Sequence, residues 1–424
     1  MLRVDGTWGS PKKEKPLKTE LAINNSTDPK AAYVTWAPAP CRIRLTDTTG
    51  ATGPVKIKLR NKAGGTGGVV TFRTKQTGAA KSTLSLTLPL SGQSVSFFIS
   101  GKFGKPSFAD GDVTIQAAAG TTVVGETPLM VRIRKNANSL TPAERDRFVA
   151  AFAKLNDQGL GRFVDFRNMH TQAGSPEAHG APGFLPWHRA YLLDLERELQ
   201  NIDPSVALPY WRFDQAASAI FALDFLGASN ALGTVQFNPS NPLQFWKTDG
   251  VQGITRRPFF NTSSAPGGLL DENQTLGLGS QFIDFEQLEG DPHGLAHTSF
   301  GGSISSIPTA ARDPLFFLLH ANVDRLWAKW QSKFKRFDPA NGASFDRNLP
   351  GGNRVGHNLP DSMWPWNGIT SPPRPPTAPG GALASSPCVA APGPQPLLSD
   401  SLDFQGRVNP AARLGFDYDD VPYK

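Results

Sequence analysis

Six of the seven histidines in this 424-residue chain fall into two groups of three, and that distribution constrains the fold more than any other feature. His170, His179 and His188 form the first group, His293, His297 and His320 the second, and only His357 stands apart. Each group ends on a segment with helical spacing. In residues 311–331, ARDPLFFLLHANVDRLWAKWQ, Phe316, His320, Asp324 and Trp327 recur at i, i+4, i+8 and i+11 and so share one face. Pro314 lies near the start, where a first helical turn tolerates it. His188 continues into Leu192, Leu195 and Leu199 at the same period. Both imidazoles therefore face inward. His293 and His297 stand four apart, side by side if their segment is helical. The equal steps from His170 to His179 and from His179 to His188 put the middle histidine on a loop, beside Gly180, Pro182 and Gly183.

Two three-imidazole groups read as two metal sites. Imidazole alone does not choose among zinc, copper, iron and nickel. The absence of a carboxylate at a matching ligand position is more telling, because hydrolytic two-metal centres use hard oxygen ligands to bridge and charge-balance their ions. Sets of neutral imidazoles favour a metal that cycles to a low charge state, which points to copper.

The same residues carry a family resemblance. Residues 179–200, HGAPGFLPWHRAYLLDLERELQ, followed by LPYWRFD at 208–214, resemble the first copper motif of the tyrosinase and catechol oxidase family. Residues 288–297, LEGDPHGLAH, with the 311–331 segment, resemble the second. The resemblance runs from about residue 131 onward and implies a coupled binuclear copper centre inside a four-helix bundle. It assigns His170, His179 and His188 to the first copper and His293, His297 and His320 to the second, the same six that spacing groups. It further implies oxidation of phenolic substrates by O2, with copper as the cofactor.

Ahead of that region the pattern is all-β. Period-2 alternation marks residues 55–60 and 83–88, and further strands are expected at 32–36, 42–46, 69–74, 94–100 and 112–117, separated by Gly-rich breaks. Seven or so short strands suggest a sandwich-like domain over residues 1–130, followed by a mainly helical catalytic domain over 131–424. The catalytic domain opens at Thr141, Pro142 and Glu144, a helix cap, a first-turn proline and a capping-box partner. Residues 215–283 are Gly-, Asn- and Ser-rich and are expected to form surface loops around the site entrance. A Pro- and Gly-rich tract at 371–398 reads as an extended strap. The LGFDY of 414–418 resembles the family's closing motif, with Arg132 and Arg134 as its expected anchors.

Charge is uneven: residues 1–135 hold 20 Lys and Arg against 8 Asp and Glu, while the remainder holds 23 against 28. The basic groups are spread along strands without the interleaved aromatics that nucleic-acid surfaces use, so no nucleic-acid partner is expected. No apolar run is long enough for a membrane span. Residues 1–18 lack the apolar core of a secretory leader, which favours the cytoplasm, with export alongside a partner as the alternative. Cys41 and Cys388 are expected to be free thiols. The chain carries no mark of oligomeric state, and a copper chaperone is an open partner.

Four further residues bear on reactivity. Oxidising an o-diphenol, or an o-aminophenol, to an o-quinone removes two electrons and two protons, whereas hydroxylating a monophenol first requires a phenol of pKa about 10 to lose its proton. By resemblance Glu289 holds a water as base for that step, or else hydrogen-bonds a ligand imidazole. Gly294 stands where strong monophenolases often have Asn, which argues for catechol oxidation over hydroxylation. Ile307 stands where relatives often place a Phe over the second copper, and ordinary loop packing is the alternative. Asp324 is expected to orient a ligand or to pair with Arg325. His357, in a Gly- and Asn-rich loop, is expected to be exposed. The alternative to a phenol oxidase is an oxygen carrier of the haemocyanin type, which has the same six histidines without phenol turnover.

Overall fold

A computed structural model describes residues 17–156, 161–171, 177–345, 355–380 and 383–423. Residues 1–16, on which the leader reading rests, residues 351–354 beside His357, and residues 381–382 of the strap lie outside the described residues. The fold is mixed, with sheets followed by helices.

The N-terminal strands are β1 (Lys18–Ile23), β2 (Tyr33–Val34), β3 (Ala39–Asp47), β4 (Val55–Asn61), β5 (Val70–Arg73), β6 (Thr83–Leu88), β7 (Val95–Gly101), β8 (Val113–Ala119) and β9 (Thr122–Val131). They form a four-stranded sheet, β1-β3-β7-β5, and a five-stranded sheet, β2-β9-β8-β4-β6. Alternation decides which side chains go in. In β3, Cys41, Ile43 and Leu45 are buried while Arg42 and Arg44 point out, and in β4, Ile57 and Leu59 are buried while Lys56, Lys58 and Arg60 point out. Phe72, Phe97 and Ile99 of one sheet share a single hydrophobic cluster with Leu59, Ile115 and Leu129 of the other. The seven expected strands are present. The sequence pattern missed β1 and β9. The first is a short edge strand of mixed polarity, and the second carries Gly125 and Pro128, which ordinarily argue against a strand. Proline is tolerated there because β2 covers β9 only at Met130 and Val131.

A second, larger cluster is built from the helices Pro142–Asn156, Phe163–Thr171, Phe184–Ile202 and Leu315–Phe334. The capping box at Thr141 and Glu144 forms as read, each side chain taking the other's backbone N–H. The 20-residue His320 helix is buried over nearly its whole length, from Leu315 to Gln331. It ends at Lys335, whose φ of 59° is left-handed. Residues 215–283 hold small two-stranded hairpins, Ala228–Ser229 with Val235–Gln236 and Lys247–Thr248 with Val251–Gln252.

The closing segment ties the two clusters together. Tyr418 bridges to Arg134, and the Trp36 indole donates to the Tyr418 carbonyl at 2.8 Å. Arg134 anchors it as expected, stacked 3.8 Å over the Phe416 ring. Arg132 does not: it lies over Tyr33 and donates to the Pro204 carbonyl. Both cysteines are free and buried. Among the described residues no helix is long and apolar enough to cross a membrane.

Candidate metal centre

Helices place four of the six grouped histidines. His188 and His320 lie in the second turn of long buried helices, and His170 sits in the last turn of Phe163–Thr171. His297 lies on the short helix Leu295–Thr298, and His293 just precedes it, after a cis Asp291–Pro292 bond, so the two are side by side with ring centroids 4.7 Å apart. His179 is in the loop before the His188 helix, as its spacing implies.

The six converge as two triads. In each, the candidate ligand atoms lie within 4.8 Å of one another. The triads adjoin: the His188 and His320 rings stack at 4.2 Å with 11° between their planes. Phe316 packs against His320 and His170, and Phe184 against His188 and His293, so each phenyl touches both groups.

Backbone carbonyls fix the direction of the lone pairs. The Nδ1 atoms of His170, His188, His293 and His297 donate to the carbonyls of Ile307 (3.0 Å), Phe184 (2.9 Å), Glu289 (2.7 Å) and Ile304 (2.7 Å). With the proton on Nδ1, each Nε2 presents a lone pair. His293 Nε2 and His297 Nε2 both face His320 Nε2, at 3.3 and 3.2 Å, and His170 Nε2 faces His179 Nε2 at 3.2 Å. A single Nε2–H on His320 can serve only one of the two lone pairs that face it, and the buried Nε2 of His188 has no hydrogen-bond partner. A cation between them resolves the conflict. Protons are poor candidates for that cation. Burial, reinforced by neighbouring histidines, holds His170, His188, His293 and His320 well below the ordinary histidine range, and burial brings His179 and His297 down to about 4. Neutral imidazoles with converging lone pairs fit a metal.

The surrounding residues correct several expectations. Glu289 is near the centre, but its carboxylate accepts from the Gly180 N–H at 2.8 Å and not from a ligand imidazole; its backbone carbonyl takes the His293 proton. Burial pushes the Glu289 carboxyl up to about 7, against the pull of the Gly180 N–H. Gly294 is helical, and a Cβ there would meet only the Glu289 carbonyl, at 3.4 Å. Ile307 meets the centre through its carbonyl, which holds His170 of the first triad, and the residue is 44% exposed. Asp324 neither orients a histidine nor pairs with Arg325. It accepts from Arg189, Arg134 and Tyr418, and Arg325 pairs with Glu272 and Asp420. The reason is geometric: adjacent helix residues point to different sides. His357 is not exposed but 2% accessible, its Nδ1 accepting from the Gly183 N–H at 3.0 Å. The carbonyls that set the tautomers were invisible in the sequence, since a backbone oxygen has no residue signature.

Fold and site together define a protein whose two adjoining histidine triads are built to hold a pair of metal ions. A family model described as the common central domain of tyrosinase matches residues 160–277 and 259–333. The tyrosinase of Streptomyces glaucescens is 35% identical over 267 residues, which span 55% of this chain and 92% of that protein. The tyrosinase of Streptomyces antibioticus is 33% identical over 270 residues, 56% of this chain and 94% of that protein. Hemocyanin 2 of Megathura crenulata is 32% identical over 253 residues, 54% of this chain and 7% of that protein. The chain belongs to the tyrosinase family.

Proposed function

We propose that the protein oxidises o-diphenols, or o-aminophenols, to o-quinones with O2, and favours catechols over monophenols. Its first copper is held by His170, His179 and His188 and its second by His293, His297 and His320. The carrying observation is the pair of adjoining neutral triads, joined through the His188–His320 stack. When bound, the copper pair exchanges two electrons at a time with substrate and with O2. Two diphenols then supply the four electrons and four protons that take one O2 to two waters.

The chain's own residues set what enters and where protons go. Glu289, beside the His179 loop and one helical turn before His293, is the base for phenolic protons. Ile307, exposed next to His170, borders the substrate's approach without an aromatic shield. The helical bundle formed by the four helices named above holds the coppers within a catalytic domain of residues 131–424, with the strap at 371–398. Residues 1–130 are an accessory sandwich-like domain, supported by their separate hydrophobic cluster.

Glu289 and Gly294 supply the test. A positioned base contributes roughly 10²–10⁴-fold to a proton-transfer step. Glu289→Gln is expected to lower monophenol hydroxylation by about 100-fold while catechol oxidation changes only severalfold, measured as initial quinone formation from a matched monophenol and catechol. Equal losses on both substrates would remove Glu289 from the proton path. A Cβ at Gly294 meets only the Glu289 carbonyl, at 3.4 Å, and Gly294→Asn is expected to raise the monophenol-to-catechol rate ratio several-fold. An unchanged ratio would show that the missing carboxamide does not limit hydroxylation.

A further inference from the structure

Five of the six ligand histidines are oriented by something visible in their immediate surroundings. Four donate Nδ1 to a carbonyl, and His320 is fixed by its long helix and by stacking on His188 and Phe316. His179 is different. Its buried Nδ1 has no hydrogen-bond partner, and it stands on a loop. Its ring touches His170, His188 and Phe184, and Glu289 holds the neighbouring Gly180 N–H, so no hydrogen bond of its own sets its direction and the loop carries that task.

That loop is gripped at both ends by residues beyond the 160–333 span of the tyrosinase model. At the near end Glu177 is 1% exposed. Its carboxylate accepts from the Trp364 backbone N–H at 2.7 Å and from the Arg374 guanidinium, in a pair whose side chains are only 1% and 8% accessible. The Trp364 carbonyl in turn accepts from the Trp187 indole at 2.6 Å, one residue before His188. At the far end, the Gly183 N–H donates to buried His357 just ahead of the His188 helix. The approach is too close for side chains. A Cβ on Gly183 would lie 2.7 Å from His357 Nδ1, and one on Gly356, whose φ is +84°, would lie 2.1 Å from Glu177 Cγ.

We propose that residues 355–374 form a clamp that positions His179, with Glu177 and His357 as its two attachment points, so that this segment sets the affinity of the first copper site and not of the second. The clamp rests on the dicopper reading. Outer groups that orient a metal ligand are worth about 10–100-fold in metal affinity.

The test uses the full chain in two site-isolating backgrounds that both keep the His188–His320 stack, His293→Ala to leave the first site and His170→Ala to leave the second. Cu(I) affinity is read by competition with a chromophoric chelator. Glu177→Gln is expected to weaken copper at least tenfold in the His293→Ala background and to leave the His170→Ala background unchanged. Arg374→Ala, placed on the clamp segment itself, gives the same pattern if Glu177→Gln fails to fold by circular dichroism, and Arg374→Lys restores part of the affinity. Equal weakening in both backgrounds, or none in either, overturns the clamp while the two coppers of the unmodified protein leave the dicopper reading standing. An unmodified protein that binds no copper overturns both.

Discussion

Replacing His320 with alanine is expected to leave about one copper per chain and to cut catechol oxidation by roughly 10³-fold or more, as groups that act as a unit commonly do. His320 Nε2 is the point on which His293 and His297 converge, so its loss opens the second triad at its centre. Its ring also carries the stack on His188, which joins the two triads. A single remaining copper cannot share out the electron pairs that O2 and a diphenol exchange. Effects should therefore be strongly non-additive: His188→Ala, His320→Ala and the double variant should lose nearly the same activity. Copper content by metal analysis and O2 uptake on catechol check this, with circular dichroism to show that the chain remains folded. Additive losses would mean that each copper works alone.

Asp324→Ala is expected to destabilise the protein by about 3–5 kcal/mol, the range for breaking a buried ion pair by removing one partner. Arg134, Arg189 and Asp324 have side chains 0–2% accessible. Arg134 retains Glu196 when Asp324 is removed. Arg189 keeps only neutral partners, Gln331 and the Ser401 carbonyl, with its guanidinium held 3.7 Å over Trp327. A buried guanidinium without a carboxylate carries the full cost of desolvation. Tyr418 also loses its acceptor, at 2.6 Å, which loosens the closing segment from the helix that bears His320. Asp324→Asn keeps acceptor oxygen and shape but not charge, so it should cost less. Urea unfolding of the two variants measures the difference. A cost below about 1 kcal/mol for the alanine would show that Asp324 is not the keystone of this network.

The centre was legible because its signal is periodic and its residue type rare. The inward faces of the His188 and His320 helices, and the loop between His170 and His188, follow from spacing alone. Two strands were equally plain, Val55–Asn61 and Thr83–Leu88, since apolar residues alternate with Lys, Arg, Ser and Thr in them. What escaped depended on non-local contacts. Asp324 reads from the sequence as orienting a ligand or pairing with its neighbour Arg325, while its partners, Arg134 and Arg189, come from other elements of the chain. Glycines and asparagines around His357 imply exposure only if nothing folds over them, and here Gly356 approaches Glu177 and Gly183 closely. Glu177 itself stands two residues before His179, a buried carboxylate whose role is visible only once Trp364 and Arg374 reach it.

The most direct measurement is O2 consumption by the copper-loaded and the copper-free chain, each given a catechol and its matched monophenol. A phenol oxidase with this centre is expected to hold two coppers per chain and to show rapid uptake on catechol, slower uptake on the monophenol, and none without copper. Two bound coppers with no uptake on either substrate would contradict it, and would assign the six histidines to O2 binding without phenol turnover.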